Sequence, residues 1–136
     1  MTWEKLMVIF EDIKSEAFDS MTISEILNDL SYLSPHENLY VASGVYLDGS
    51  FGSYRGYYND MAIGYSTTET GLFRVEDFET ILRNALAAGS MMSYKNGDYP
   101  ITPDTKVWLA EENDLGEMIV AIRRIDGNAY IITKQD

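Results

Sequence analysis

The chain contains no cysteine. That removes disulfide frameworks, thiolate zinc sites, iron–sulfur clusters and cysteine nucleophiles, and it suits a reducing compartment. Histidine occurs once, as His36. A histidine metal cluster is therefore impossible, and any Ser-His-Asp triad would have to run through a residue that follows Pro35 at a helix exit, where an exposed loop histidine is the simpler reading. Cations are scarce as well, 10 lysines and arginines against 22 acids, for a net charge of −12. Such a surface repels phosphate backbones and anionic membranes over a Debye length of ~8 Å, which disfavours general nucleic-acid or membrane binding. No apolar run reaches the ~18 residues a membrane span needs, and Met1-Thr2-Trp3-Glu4-Lys5 does not resemble an export signal, so a cytoplasmic protein is expected. Also missing are tandem repeats, low-complexity tracts, a Gly-rich Rossmann or P-loop turn and a Gly-x-Ser-x-Gly elbow; Ser53 follows Gly52, but the next glycine is Gly56.

What remains is ordinary globular composition, 46% hydrophobic and 24% charged over 136 residues, which implies one domain. Trp3, Leu6, Met7, Phe10, Ile13 and Ala17 recur at helical spacing and predict an amphipathic helix over residues 3–18, an N-terminal extension (1–20) to an α+β core (22–136). Thr22-x-x-Glu25 has the form of a capping box; Ile23, Ile26, Leu27, Leu30 and Leu33 give the second helix its apolar stripe, and Ser34-Pro35 ends it. A short strand at 39–42 is followed by a Gly- and Tyr-rich stretch from Gly44 to Tyr58, read as a long connection, and by a strand from Met61 to Ser66. A third helix spans Val75 to Ala88 before Gly89, with Glu76, Asp77 and Glu79 placed to stabilise its first turn rather than to bind metal. Strands at 106–111, 117–125 and 129–133 complete the chain, the last two joined by an Asp126-Gly127-Asn128 turn. The order ααββαβββ predicts an α+β fold in which helices pack on one side of a mainly antiparallel sheet of about five strands.

The scarce cations stand in a pattern. Ser53-Tyr54-Arg55-Gly56-Tyr57-Tyr58 is echoed by Ser93-Tyr94-Lys95-Asn96-Gly97-Asp98-Tyr99. Arginine can fork onto a phosphate or carboxylate, tyrosine offers a flat face with a polar tip, and glycine allows close backbone approach. These are the parts of a pocket for a planar anion, with Ser53, Tyr54, Arg55, Gly56, Tyr57 and Tyr58 forming the main wall and Tyr94 and Lys95 closing it. The bland alternative has the tyrosines covering a sheet edge while Arg55 and Lys95 pair with Asp60 and Asp98. Carboxylate pairs for acid/base work or magnesium are formally available, but 22 acids bring pairs together by chance, and no catalytic frame surrounds any of them.

The Ser53-to-Asp60 string followed by Met61-Ala62 resembles a family of small uncharacterised bacteriophage proteins with a Ser-Tyr-Arg-Gly-Tyr-Tyr-x-Asp-Leu-Ala motif. The similarity extends through Tyr94-Lys95-x-Gly97 and Thr105-x-Val107-Trp108-x-Ala110, covering about residues 22–122. Met61 in place of leucine, Asn96 before Gly97 and about twenty additional N-terminal residues are departures. The resemblance implies a phage setting, the host cytoplasm and a counter-defence or host-takeover role, and it implies no chemistry. The expectation is a non-enzymatic protein, without metal or cofactor, that binds a small nucleotide-like anion. The alternative is an acidic nucleic-acid mimic that inhibits a host protein through Glu11, Asp12, Glu16 and Asp19 together with Glu111, Glu112, Asp114 and Glu117. A metal-dependent nucleotide hydrolase ranks third, and Trp3 near a chain end leaves a homodimer open.

Overall fold

A computed structural model describes residues 1–56, 58–92, 97–111 and 115–136. Three helices form where the apolar spacing predicts them: α1 (Trp3–Ser15), α2 (Ile23–Leu30) and α3 (Val75–Ala88). The capping box of α2 is complete, with the Thr22 N–H donating to Glu25 Oε1 at 3.0 Å and the Glu25 N–H to Thr22 Oγ1 at 3.2 Å. Gly89 ends α3 at φ 76°. Helix α1 stops three residues before the predicted 18. Its terminal carbonyls are met from the other end of the chain, where Lys134 Nζ donates to Lys14 O (3.1 Å) and Ala17 O (2.8 Å).

Eight strands are present among the described residues: β1 (Leu39–Val41), β2 (Tyr46–Ser53), β3 (Met61–Ser66), β4 (Ser90–Met92), β5 (Asp98–Pro100), β6 (Val107–Leu109), β7 (Glu117–Ile125) and β8 (Asn128–Lys134). Six form one mixed sheet in the order β1-β8-β7-β6-β3-β2; β1 runs parallel to β8 and β3 to β6, and the other neighbours are antiparallel. Strands β4 and β5 form a separate antiparallel pair. The expected sheet of about five mainly antiparallel strands is thus replaced by a larger mixed one. Most of the supposed long connection from Gly44 to Tyr58 is strand β2. Its alternation is hidden by Gly49 and Gly52 and by an irregularity between Leu47 and Phe51, where Gly49 takes φ 85° and the Ser50 N–H and Oγ both donate to Asp48 Oδ1. Asp126 (φ 52°) and Gly127 (φ 86°) make the two-residue β7–β8 turn, both in the positive-φ region that a tight hairpin requires.

Strands β1 and β2 are consecutive in the chain yet stand at opposite edges of the sheet. Five residue steps from Val41 to Tyr46 reach at most about 17 Å, whereas the edges of a flat six-stranded sheet lie about 24 Å apart. The sheet therefore curls until β1 and β2 touch. Helices α2 and α3 cover one face, where Ile26, Phe78 and Leu82 join Ile63, Ile119 and Ile131 in the main core. Helix α1 covers the opposite face over β7 and β8, with Leu6 and Phe10 against Ala121 and Ile132. The expectation of helices on one side only is corrected here. Ala129-Tyr130-Ile131-Ile132 is apolar on both faces of β8, so each face needs cover. The stripe read on α1 also divides: Leu6 and Phe10 are buried, while Trp3 is 65% exposed.

Phe10→Ala should destabilise the protein by about 3–5 kcal/mol in chemical denaturation and Trp3→Ala by less than about 0.5 kcal/mol, since only Phe10 leaves a cavity. A second expectation concerns Asp19 and Lys106, an ion pair that ties the segment after α1 to the start of β6. The Lys106 hydrogen bond holds the Asp19 carboxyl below its ordinary 3.8, and Asp19 in turn raises the Lys106 ammonium above 10.5. The carboxylate's contribution is present above 3.8 and lost as pH falls through the lowered value; the ammonium's is present below 10.5 and lost as pH rises through the raised one. An NMR titration of Asp19 should show its midpoint return toward 3.8 in Lys106→Met, and an unchanged midpoint would refute the pairing.

Candidate functional site

The Ser-Tyr-Arg-Gly string closes the hairpin between β2 and β3. Ser53 ends β2, and its hydroxyl donates to Tyr58 O, which pins the two sides of the connection together. The Tyr54 N–H donates to Asp60 O at 2.8 Å, and a short 3₁₀ turn runs from Tyr54 to Gly56. The Tyr54 ring is buried and stacked on Trp108 of β6, centroids 4.2 Å apart and planes 13° from parallel, while its hydroxyl donates to Leu115 O. Trp108 Nε1 donates to Asp60 Oδ2 at 2.9 Å. Tyr54, Trp108 and Asp60 thus make a rigid corner in which every polar atom named has a partner. Tyr58 leans on Tyr54 at 5.4 Å and is 44% exposed.

Arg55 projects from this corner at φ 55°, ψ 14°, a left-handed conformation that costs a side-chain-bearing residue ~1–2 kcal/mol. Among the described residues it makes no ion pair, and its guanidinium makes no hydrogen bond. That sets it apart from the other cations. Lys14, Arg74, Arg83, Lys106, Arg123 and Arg124 each have a carboxylate oxygen within 4.0 Å, and Lys134 caps α1. Lys5, on the exposed side of α1, likewise makes no ion pair among the described residues. The expected alternative in which Arg55 pairs with Asp60 does not occur, since that carboxylate serves Trp108.

Two grooves, each of about 370 Å³, meet at Arg55. The first is aromatic, formed by Tyr54, Tyr58 and Trp108 with Leu115, Asp60 and the chain end at Asp136. The second has a floor of small residues, Gly52, Ala62, Gly64 and Ala110, on three adjacent strands, with Phe51, Met92 and Glu111 around it. Alternation explains the floor. In β3 the large Met61 and Ile63 enter the core while Ala62 and Gly64 face outward, and in the β6 segment Val107 and Leu109 point inward while Trp108 and Ala110 point outward. At Gly64 a methyl group would lie 2.3 Å from Ser50 Oγ and 2.7 Å from Asp48 Oδ1, so glycine is what lets those side chains rest on the sheet. A smaller crevice of about 170 Å³, where the edges β1 and β2 meet, is lined chiefly by apolar groups such as Leu39, Val41, Leu47 and Phe73 and contains no cation.

The structure therefore brings Ser53, Tyr54, Arg55 and Tyr58 to one corner but gives them unequal parts. Tyr54 has its ring face and hydroxyl committed to the fold, Tyr58 stands partly exposed beside it, and Arg55 makes no ion pair among the described residues. Gly56 follows in the turn, while Tyr57, Tyr94 and Lys95 lie outside the described residues. Strand β4, which leads into the second Tyr-cation segment, touches β2 and contributes Met92 to the small-residue groove. Trp108 and the small-residue floor escape sequence reading. The signal that could have found them is the large/small alternation in Met61-Ala62-Ile63-Gly64 and in Trp108-Leu109-Ala110. His36 is exposed and lies 3.4 Å from Glu76, remote in sequence from either groove, and no group of three or more metal-ligating side chains is found among the described residues.

No protein-family model, curated protein or solved structure matches this chain. Function is therefore inferred from the geometry of the corner.

Replacing Arg55 by glycine should relieve the left-handed strain. Net of the entropy that glycine adds to the unfolded chain, Arg55→Gly should raise unfolding stability by about 0.5–1 kcal/mol in urea titration. A loss of stability instead would mean that the arginine side chain supports the fold.

Proposed function

We propose that this protein acts by binding rather than by turnover, and that it holds a small ligand through an anionic group seated on Arg55. The carrying observation is a strained cation that is unpaired among the described residues of a chain with net charge −12, at the junction of two grooves. A left-handed arginine is unfavourable for stability, and residues held this way cluster at ligand clamps. Surrounding negative charge would keep long polyanions away while a small anion could still reach one local positive centre. Tyr58 offers an exposed ring beside that centre, and the Tyr54–Trp108 stack holds the wall in place before any ligand arrives, which lowers the ordering cost of binding.

The resemblance of residues 53–62 to phage proteins supplies a setting for this activity. A small nucleotide-derived signal sequestered in the host cytoplasm would make the protein a counter-defence or host-takeover factor. The competing reading, an acidic mimic of nucleic acid, draws less support because several of its carboxylates are already engaged. Glu11 meets Lys14, Asp19 meets Lys106, Glu111 accepts the Tyr65 N–H at 2.9 Å, and Glu117 accepts the Thr133 hydroxyl.

A thermal-shift screen with mononucleotides and cyclic dinucleotides tests the proposal. A ligand at a hundred times its Kd adds about 2.7 kcal/mol of stability, or roughly 10 °C in a domain of this size. Arg55→Ala should abolish the shift, while Glu11→Gln with Asp12→Asn should leave it unchanged. A shift that survives Arg55→Ala and disappears on neutralising the acids would refute the proposal and favour the mimic.

A further inference from the structure

Arg55 does not sit at the end of a single pocket. It lines both grooves, and the two are of equal size, about 370 Å³ each, within the range of small-molecule sites. They lie along the same face of the sheet. Trp108, Ala62 and Ala110 share that face, and the aromatic groove gives way to the small-residue groove as β3 runs from Asp60 toward Gly64. One groove presents the exposed ring of Tyr58 at its side, and the other presents a floor of the small residues Gly52, Ala62 and Ala110, with Ser50 resting on Gly64. Both surfaces suit a flat, weakly polar group.

Each groove is also lined by carboxylates. In the aromatic groove these are Asp60 and Asp136, and in the small-residue groove Glu111. The Glu111 carboxylate binds the Tyr65 N–H, and Tyr65 lies four residues along β3 from Met61, the register partner of Ser53, or about 13 Å from the Arg55 end of the hairpin. The lining thus places a cation at the junction with carboxylates on either side. A ligand with a doubly charged terminal phosphate reaching into either groove would meet a like charge at close range, whereas one central negative charge between uncharged arms meets only the cation.

On the basis of the proposed function, we infer that the two grooves take the two arms of one molecule, a singly charged phosphodiester joining two flat ring systems, with Arg55 on the bridging phosphate. Linking the arms makes the second contact intramolecular, so a two-armed diester gains affinity that neither arm achieves alone. One shared cation matches the single charge of one bridging diester, as in a linear molecule with a ring system on each side.

The probes are a linear dinucleoside monophosphate with two adenines (ApA) and AMP, titrated calorimetrically into the full chain. ApA should bind at least about tenfold more tightly than AMP, a difference of about 1.4 kcal/mol. Gly52→Leu supplies a groove-filling variant, because a side chain starting at Gly52 meets nothing within 4 Å. It should bring ApA down to the affinity of AMP while AMP itself changes less than about threefold, and Arg55→Ala should weaken both probes by about tenfold or more. Equal or tighter binding of AMP, with both probes lost in Arg55→Ala, would overturn the two-armed ligand and leave Arg55 as the anion site. Absence of binding by either probe, or binding indifferent to Arg55→Ala, would overturn both. The wild-type comparison of ApA with AMP stands whether or not Gly52→Leu folds.

Discussion

Five residue steps between Val41 and Tyr46 govern the architecture. A link that short cannot join the two edges of a flat six-stranded sheet, so the sheet curls, and β1 and β2 become neighbours although they are first and last in the strand order. Helices α2 and α3 fill one face of the curled sheet. On the other face α1 reaches β7 and β8, next to β1, and the β2–β3–β6 region lies beyond it. There the sheet is covered by one aromatic pair and by small residues, and the grooves follow from that shortage of cover.

The aromatic corner fixes the arginine in turn. Tyr54 is held at its face by Trp108 and at its hydroxyl by Leu115, while Asp60 is held by the indole. The chain between Tyr54 and Tyr58 is fastened at both ends, so Arg55 adopts a conformation it would not choose alone. Asp60 accepts the Trp108 N–H and makes no ion pair with the guanidinium. One set of contacts thereby positions the cation and strains it, and it makes no ion pair among the described residues.

Charge is divided in a consistent way. Most of the scarce cations are spent on holding the fold: Lys134 caps α1 across the length of the chain, Lys106 ties down Asp19, and Arg124 forks onto Glu37 at 2.8 and 3.0 Å. Each brings distant segments together or relieves local repulsion in an acidic protein. Arg55 serves no such purpose among the described residues, and this gives weight to a functional reading of it.

Helix α3 and the Asp126-Gly127 turn were fully legible in the sequence, as was the capping box at Thr22, because each depends on a few neighbouring residues and on backbone preferences that act locally. Absence of cysteine and scarcity of histidine limited the available chemistry with equal certainty, and the Tyr-Arg-Gly string marked the corner at which Ser53, Tyr54, Arg55 and Tyr58 come together. Strand β2 was hidden, because its glycines and irregularity erase the alternation by which a strand is recognised. Whether Tyr54 or Tyr58 faces outward, whether Asp60 serves Arg55 or Trp108, and which face of β3 remains uncovered were decided only by tertiary structure. Each depends on residues far apart in the chain meeting across a curled sheet, as Tyr54 meets Leu115, 61 positions on, and Asp60 meets Trp108, 48 positions on, and no local preference encodes such a meeting.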